Sequence, residues 1–466
     1  MAKHRFFYGY KRDFARFIST HVSSIQLIVS YYAILTVIAF ILLKLPFFRN
    51  PGIQTTFLDD AFMAVSTVSV TGLSTFNINE VFNDRGVILL EILFQVGGLG
   101  IMMVSTFFFI VSRRKISLKQ RQLIMTDMNQ PRLSGIVRLI RTTLGIILWI
   151  QFIFGSIFSV HFYLSNHHAT IRDAIFYGFY QAISAVTNSG FDVTGGSIEP
   201  YANDYFFIIC IIILIMIGGI GFPVIMEIKE CLFFKKKRRG YPFRFSLFSK
   251  LAIGSFIILF VAGTLFIYLL ERNHLFADMP SSQRLITSMF YSMTTRNAGL
   301  QINDLNQFQT PTLILFSTLM FIGCSPSSVG GGVRTTTVAI VVLYLFSFIK
   351  SEENISIFGR RISDEDVKKA IVVFNLSLLM CFFSVMVLSA TEDHSLISII
   401  VEVASAFGTT GLSLGITDDL TTVGKIIIAA LMFIGRIGML YTLMLFIPKE
   451  MQDKGYLYPT EKIIIG

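Results

Sequence analysis

Four glycine-centred turns recur along the chain, and their chemistry would be that of the backbone rather than of side chains. They read SVTGLS (69–74), TNSGFD (187–192), RNAGLQ (296–301) and GTTGLS (408–413). Glycine permits a positive φ, so such a turn can direct successive carbonyl oxygens to one side. Carbonyl oxygens gathered from several loops replace the hydration shell of a permeating cation, as in potassium-channel filters. The turns therefore predict one pathway for a monovalent cation, with potassium as the expected ion.

The predicted filter consists of each glycine and the residues around the end of the preceding helix. Most of the flanking residues are small or hydroxylated, so four backbone segments can approach one another closely. We expect K+ to be bound by the backbone carbonyls of Val68, Ser69, Val70, Thr71, Gly72, Val186, Thr187, Asn188, Ser189, Gly190, Thr295, Asn297, Ala298, Gly299, Phe407, Gly408, Thr409, Thr410 and Gly411. The alternative is that these glycines only let membrane helices pack, as small residues do at helix interfaces.

A second glycine signature follows each turn at a similar distance. It reads FQVGGLG (94–100), MIGGIG (216–221), FIGCSP (321–326) and FIGRIG (433–438). Two signatures in fixed order, four times over, indicate an internal fourfold repeat. Whether Gly97, Gly98, Gly218 and Gly219 serve the pathway or only permit close packing stays open at this point.

The elements that must position these turns are membrane helices. The chain has 466 residues, of which 53% are hydrophobic and 15% charged, whereas soluble domains carry about 25% charged residues. Long apolar spans lie at about 25–45, 86–111, 142–164, 205–228, 248–270, 311–349, 369–390 and 423–447. Shorter apolar stretches at about 59–71, 173–189, 283–298 and 396–410 cannot cross a bilayer. We expect an all-α polytopic membrane protein with eight transmembrane helices and four re-entrant pore helices around a pseudo-fourfold pore.

Charge then fixes the predicted orientation. Most of the 39 Lys and Arg fall in alternate loops, the pattern of cytoplasmic segments, which places both termini in the cytoplasm. The predicted divisions are a basic N-terminal segment (1–24), repeat 1 (25–111), a linker (112–141), repeat 2 (142–234), a basic linker (235–247), repeat 3 (248–350), a linker (351–368), repeat 4 (369–447) and a C-terminal tail (448–466). Acidic residues on the outer side, Asp59, Asp60, Asp173, Asp418 and Asp419, either attract cations to the mouth or form a solvated rim.

Three buried features break the fourfold pattern. Arg296 lies in the third turn, where a cation facing the pore would repel potassium, so we expect it to point behind the loop and to pair with Glu402. Arg436 lies near the middle of the last span, where arginine costs about 2.5–3.5 kcal/mol on insertion scales. The segment 321–337 contains Pro326 and three consecutive glycines, so it cannot form a stable lipid-facing helix.

These residues resemble the Trk/Ktr/HKT superfamily of potassium transporters, most closely the bacterial Ktr membrane subunits of the KtrB and KtrD type. The resemblance covers essentially the whole chain and includes one filter glycine in each repeat. Glycine at position 72, rather than serine, is similar to the potassium-selective pattern. The chain reaches repeat 1 after a short basic segment, without the extra N-terminal helix pair of the Trk branch.

The resemblance implies a gate, partners and a location. The gate would be an intramembrane loop at 323–332 with Arg436, comprising Gly323, Cys324, Ser325, Pro326, Ser327, Ser328, Gly330, Gly331, Gly332 and Arg436. We expect Arg436 to contact this loop and raise the barrier to permeation; structural pairing alone is the alternative. The implied assembly is a homodimer in the bacterial plasma membrane, on a cytosolic RCK-type ring (KtrA or KtrC type) that binds ATP or ADP. Sodium is an expected modulator, and no cofactor is expected in this chain.

Other functional classes fit the sequence less well. A membrane-embedded enzyme needs paired acids, a histidine cluster or a nucleophile with its base at one depth. All seven histidines are expected at termini or in loops, and the adjacent pair His167–His168, without nearby carboxylate spacing, is expected to be solvated. A coupled secondary transporter needs inverted repeats, whereas these four run in one direction. A sodium or mixed-cation transporter of the same superfamily stays open.

Overall fold

Each of the four repeats in the computed structural model has a long helix followed by a short pore helix, and in repeats 2, 3 and 4 the third helix is broken. The structure describes residues 24–100, 121–122, 125, 135–165, 167–168, 170–191, 193, 196–233, 243–352 and 354–446. Repeat 1 contains α1 (Ser24–Leu43), α2 (Phe57–Ser69), α3 (Ile78–Val81) and α4 (Asp84–Leu99), and repeat 2 contains α5 (Ile136–Leu164), α6 (Ile171–Thr187), α7 (Tyr205–Gly219) and α8 (Phe222–Leu232).

Repeats 3 and 4 follow the same order. Repeat 3 contains α9 (Leu247–Glu271), α10 (Ser281–Thr294), α11 (Thr310–Phe321) and α12 (Thr335–Ile349), and repeat 4 contains α13 (Asp364–Thr391), α14 (Leu396–Gly408), α15 (Thr422–Ile437) and α16 (Met439–Phe446). Short 3-10 turns lie at Pro46–Phe48, Glu199–Tyr201 and Leu305–Gln307. A small antiparallel hairpin, β1 (Ser356–Ile357) with β2 (Arg360–Arg361), precedes α13.

The first helix of each repeat is long and apolar enough to cross a membrane, which accounts for α1, α5, α9 and α13. Large apolar side chains such as Trp149 and Phe382 are 66% and 62% exposed, as expected where lipid is the solvent. Two further spans are bent, by 105° between α7 and α8 and by 99° between α15 and α16. Among the described residues this gives four spans, or six with the bent pairs. The predicted total of eight stays a prediction: residues 101–111 of the 86–111 span lie outside the described residues, and a non-helical segment divides the 311–349 span into α11 and α12.

The pore helices α2, α6, α10 and α14 have 13, 17, 14 and 13 residues. At 1.5 Å per residue they are too short to cross the bilayer. Hydroxyl side chains of Thr56, Thr170 and Ser395 cap three of their outer ends. The opposite, C-terminal ends are buried at the centre of the molecule, so four partial negative charges converge there. The core of repeat 4 also contains Phe62 and Leu73 of repeat 1.

Candidate ion-coordination site

The four turns have positive φ values at the same two positions. Their glycines have φ values of 91°, 64°, 67° and 96°, as their residue type predicts. Two positions earlier, Val70, Asn188, Asn297 and Thr409 also have positive φ values, of 60°, 52°, 106° and 51°. A positive φ is uncommon outside glycine and is strained for β-branched residues such as Val70 and Thr409. The same strained position in all four repeats indicates that the surrounding structure imposes it.

The four glycines, called here the glycine ring, each face a carbonyl oxygen of the next repeat. A Cβ placed on any of them would meet the backbone oxygen of the residue just before the next glycine. These pairs are Gly72 with Ser189, Gly190 with Ala298, Gly299 with Thr410 and Gly411 with Thr71. The contacts run from repeat 1 through 2, 3 and 4 and back to 1. The ring is therefore closed around one axis, and no other residue type fits at these four positions without displacing a carbonyl.

Backbone hydrogen bonds to the preceding pore helix hold the turns in place, and they do not use the carbonyl oxygens that face the glycine ring. The amide of Thr71 donates to the Ser66 carbonyl at 2.9 Å, and the amide of Ser189 donates to the Ser184 carbonyl at 3.1 Å. Thr410 repeats the contact with Ser405 at 2.8 Å. Within the described chain, the carbonyl oxygens of Thr71, Ser189, Ala298 and Thr410 accept no hydrogen bond. Buried carbonyls normally have partners, so these four oxygens are available to a ligand.

A cavity of about 370 Å³ opens on the outer side of the glycine ring. Its walls include the acidic residues Glu199 and Asp304, which the sequence analysis did not single out. Of the acids that it did single out, Asp59 binds Lys425 at 2.9 Å, and Asp60 pairs with Arg49. Burial opposes ionisation of Asp59, but hydrogen bonds from Thr56 and Lys425 lower its pKa. Glu199 and Asp304 add negative charge at this cavity, and a role of Asp173, Asp418 and Asp419 at the mouth stays a prediction.

The segment between α11 and α12, called here the repeat-3 loop (residues 322–334), lies on the inner side of the ring. Its Gly331 amide donates to the Thr409 hydroxyl at 3.0 Å, and a Cβ on Gly330 would lie 2.5 Å from the Asn297 side chain. On its far side is a second cavity of about 550 Å³, lined in part by Pro326 and Arg334. The prediction that this stretch is not a helix is confirmed, and the loop separates the two cavities.

Backbone hydrogen bonds attach the repeat-3 loop to repeat 2. The amides of Ser325 and Val329 donate to the carbonyls of Gly219 and Gly218 at 3.1 and 3.2 Å. The amide of Phe222 donates to the Ser327 carbonyl at 2.8 Å. These contacts use the backbone groups that the break between α7 and α8 leaves unpaired.

Arg436 connects three repeats through one guanidinium group. It donates to the carbonyl of Val329 in the repeat-3 loop and to the carbonyls of Gly97 and Gly98 in α4, the last at 2.7 Å. The side chain is 7% exposed, so carbonyl oxygens rather than water accept from its two Nη atoms. The predicted contact with the loop is confirmed, whereas the role in permeation stays a prediction.

Arg296 points behind the filter loop, as predicted, but not toward Glu402. Its guanidinium lies 3.9 Å from the ring centre of Phe256 and donates to the Phe256 carbonyl at 2.9 Å. Glu402 accepts from the hydroxyls of Ser413 and Thr417 at 2.7 and 2.6 Å. The predicted ion pair between these two described residues is therefore wrong: Arg296 contacts an aromatic face and one carbonyl, with its Nε and Nη2 atoms left without a hydrogen bond, and the loop of repeat 4 provides the partners of Glu402.

The second glycine signature serves close packing. A Cβ on Gly97, Gly218 or Gly435 would meet the carbonyl of Val68, Val186 or Phe407, each four residues before a ring glycine. Gly98 and Gly219 make room for Val329 and Cys324 of the repeat-3 loop, at 3.0 and 2.8 Å. These glycines let the inner helices reach the pore helices and the loop, which supports the packing alternative for this set.

Comparison with protein families assigns residues 23–456 to TrkH, described as a cation transport protein. This match spans all four repeats and both signatures. The chain belongs to the TrkH family. The family consists of membrane-embedded cation transporters rather than enzymes, which confirms the predicted superfamily and class.

Relatives in the TrkH family align along almost their whole length. The chain is 44% identical to Ktr system potassium uptake protein D of Bacillus subtilis (strain 168), covering 96% of this chain and 98% of that protein. It is 35% identical to the potassium/sodium uptake protein NtpJ of Enterococcus hirae, again covering 96% and 98%. The crystal structure of the potassium transporter TrkH from Vibrio parahaemolyticus superposes with a TM-score of 0.71 at 18% identity, covering 92% of this chain and 86% of that one. That likeness shows the shared fold.

Proposed function

We propose that this chain is the potassium-translocating membrane subunit of a Ktr-type uptake system in the bacterial plasma membrane. The observation that carries the proposal is the closed glycine ring, in which each glycine leaves space for a carbonyl oxygen of the next repeat. In this proposal the predicted filter residues, 68–72, 186–190, 295, 297–299 and 407–411, form the walls of the pathway. Backbone oxygens at one level, without hydrogen-bond donors of their own, are the ligands that potassium filters use.

Permeation through such a ring does not require coupling to another ion. One charge crossing 100 mV gains about 2.3 kcal/mol, which corresponds to roughly 50-fold accumulation at 1.36 kcal/mol per decade. Glu199 and Asp304 at the outer cavity raise the local cation concentration. Sodium acts in this proposal as a modulator rather than as a coupled ion.

The gate in this proposal consists of residues 323–332 of the repeat-3 loop together with Arg436 of α15. The loop lies between the two cavities, and its contacts with the filter turns are single hydrogen bonds such as that from Gly331 to Thr409. Arg436 holds the loop through Val329 and places a positive charge on the inner side of the ring. Release of that contact would open the path, so a stimulus from the cytoplasmic side can control it.

The proposed assembly is a homodimer on a cytosolic nucleotide-binding ring of the RCK type, with ATP or ADP bound to the ring. The words "Ktr system" in the name of the Bacillus subtilis relative support a multi-subunit system. Basic linkers at 112–141 and 235–247, largely outside the described residues, would meet that ring or anionic lipid. Both termini are proposed to be cytoplasmic.

The test is cation uptake in a bacterium that lacks its own potassium-uptake systems, comparing the wild type with Gly72→Ser. A Cβ on Gly72 would lie 2.5 Å from the Ser189 carbonyl oxygen, so we expect the preference for potassium over sodium to fall at least about 10-fold, as for a loss of about 1.4 kcal/mol. Gly254→Ser is the matched control, because a Cβ there meets nothing within 4 Å. An unchanged preference in Gly72→Ser would remove the filter assignment.

A sodium or mixed-cation transporter is the second candidate, favoured by the name of the Enterococcus hirae relative. The same assay separates the two functions, since sodium uptake by the wild type at rates similar to potassium would support the second.

A further inference from the structure

Away from the pore, three side chains of repeat 2 converge at the outer end of α5. They are His161 in the last turn of α5, His167 in the connection to α6, and Asp204, which precedes α7. One ligand atom of each lies within 4.8 Å of the other two. The expectation that all histidines lie at termini or in loops is thus wrong for His161, and His167 has a carboxylate nearby that sequence spacing did not reveal.

The geometry of this trio approaches that of a metal site. The His167 Nε2 and Asp204 Oδ2 atoms are 3.5 Å apart, and His161 Nε2 contacts the same oxygen. Zinc bound tetrahedrally at about 2.0–2.1 Å separates its ligand atoms by about 3.3 Å. Zinc binding would use the unprotonated Nε2 of His161, with its proton on Nδ1, and the three ligand atoms already lie within 4.8 Å of one another.

The surroundings hold two of the three ligands in place. The other carboxylate oxygen of Asp204 accepts from the Phe207 amide at 3.1 Å, which aims Oδ2 at the histidines. The His167 ring meets Tyr201 edge-on with ring centres 5.0 Å apart. The adjacent His168 faces elsewhere, stacked on Tyr177 at 4.6 Å and hydrogen-bonded to the Tyr201 hydroxyl at 2.8 Å. Of the adjacent pair, only His167 is therefore directed toward His161 and Asp204.

The site is partly open to solvent. The side chains of His161, His167 and Asp204 are 25%, 28% and 14% exposed. Three protein ligands with an open fourth position are the pattern of accessible zinc sites, as opposed to closed structural ones. Two imidazoles and one carboxylate suit zinc and similar transition metals, whereas Mg²⁺ and Ca²⁺ prefer oxygen ligands throughout.

We propose that His161, His167 and Asp204 form a binding site for a divalent transition-metal ion, with zinc as the best match, on the outer face of repeat 2. An ion there would join the outer ends of α5 and α7. It would also fix the segment 196–204, whose residues Ser197 and Glu199 line the outer cavity. The proposal does not depend on which ion the pore conducts.

The test is zinc binding by the purified full chain, without a polyhistidine tag and stripped with a chelator, followed by calorimetry and by thermal unfolding. We expect one saturable site per chain and a Tm that rises with zinc but not with Mg²⁺ or Ca²⁺. In Asp204→Asn the affinity should fall more than about 100-fold, since loss of an outer-shell partner alone costs about 10–100-fold. Asparagine can still accept from the Phe207 amide, so the cap of α7 is retained.

His161→Gln is expected to behave like Asp204→Asn. His274→Gln is the matched control, since His274 is 52% exposed and lies outside the trio; it should bind zinc like the wild type. Absence of saturable zinc binding to the wild type would overturn the proposal. Equal affinity of wild type and Asp204→Asn would also overturn it, because the bound zinc would then be adventitious.

Discussion

At the level of the glycine ring the four repeats make the same contact, whereas on the inner side each contributes something different. The ring repeats positive φ values at the same two positions and one glycine-to-carbonyl contact four times. Below it, repeat 3 supplies a loop, repeat 4 supplies Arg436, and repeats 1 and 2 supply the carbonyls that accept from them. Coordination of a spherical ion favours equal ligands, while control of access needs one element that can move. This difference supports the proposal that the symmetric half selects the ion and the asymmetric half controls access to it.

The largest expected effect comes from breaking the symmetric half. Gly299→Ala puts a methyl group against the Thr410 carbonyl at a φ that alanine disfavours, a strain of about 1–3 kcal/mol. We expect potassium uptake to fall about 10- to 100-fold in cells expressing equal amounts of protein. Gly411→Ala should give a similar loss, because its methyl group meets the Thr71 carbonyl in the same way.

Gly145→Ala is the control for this pair, since a Cβ at Gly145 meets nothing within 4 Å. Normal uptake by Gly299→Ala together with loss in Gly411→Ala would contradict the equivalence of the four repeats. The pair therefore tests the symmetry as well as the site.

The symmetric half was predictable from the sequence to a large extent, because a glycine in a turn indicates a positive φ that other residue types disfavour. The strained positions Val70, Asn188, Asn297 and Thr409 were not, since their residue types differ and only the meeting of four loops imposes the conformation. The break at 321–337 was predictable from Pro326 and its glycines. Its contacts with repeat 2 were not, because they are made by backbone groups distant in sequence.

Side-chain partners were the least predictable part. Arg296 binds Phe256, 40 residues earlier, through an aromatic face and a carbonyl that no charge pattern reveals. The partner predicted from charge, Glu402, binds hydroxyl groups that lie 11 and 15 residues later. His161 and Asp204 are 43 residues apart and meet only because α5 and α7 end at the same surface. Sequence spacing reports local geometry, and these contacts depend on how helices pack.

A smaller effect, and of opposite sign, is expected in the asymmetric half. Arg436→Gln removes a positive charge and the contact with Val329, so we expect potassium flux to rise about 5-fold, as for a barrier lowered by about 1 kcal/mol. Flux into proteoliposomes of the purified protein measures it. Arg436→Lys retains the charge but lacks the planar fork that reaches several carbonyls.

The two Arg436 variants separate charge from attachment. Low flux in Arg436→Lys with high flux in Arg436→Gln would assign the barrier to charge, and high flux in both would assign it to the hydrogen bonds. Unchanged flux in both would contradict a gating role and leave Arg436 as a structural link among three repeats.

The smallest expected effect concerns Glu402, which distinguishes the observed contacts from the predicted ion pair. In Glu402→Gln the amide oxygen can accept from one of the hydroxyls of Ser413 and Thr417, and the amide nitrogen can donate to the other. We therefore expect uptake within about 2-fold of the wild type and a free energy of unfolding lowered by no more than about 1 kcal/mol. Glu402→Leu is the matched comparison, because it removes the acceptor to which both hydroxyls donate and should cost about 1–3 kcal/mol. If Arg296 depended on this carboxylate, Glu402→Gln would strand a buried cation and cost about 3–5 kcal/mol. Thermal unfolding of Glu402→Gln and Phe256→Leu distinguishes the two partners. A large loss of stability in Glu402→Gln and none in Phe256→Leu would restore the ion pair. A large loss in Phe256→Leu and none in Glu402→Gln supports the aromatic partner and with it the separate roles of repeats 3 and 4.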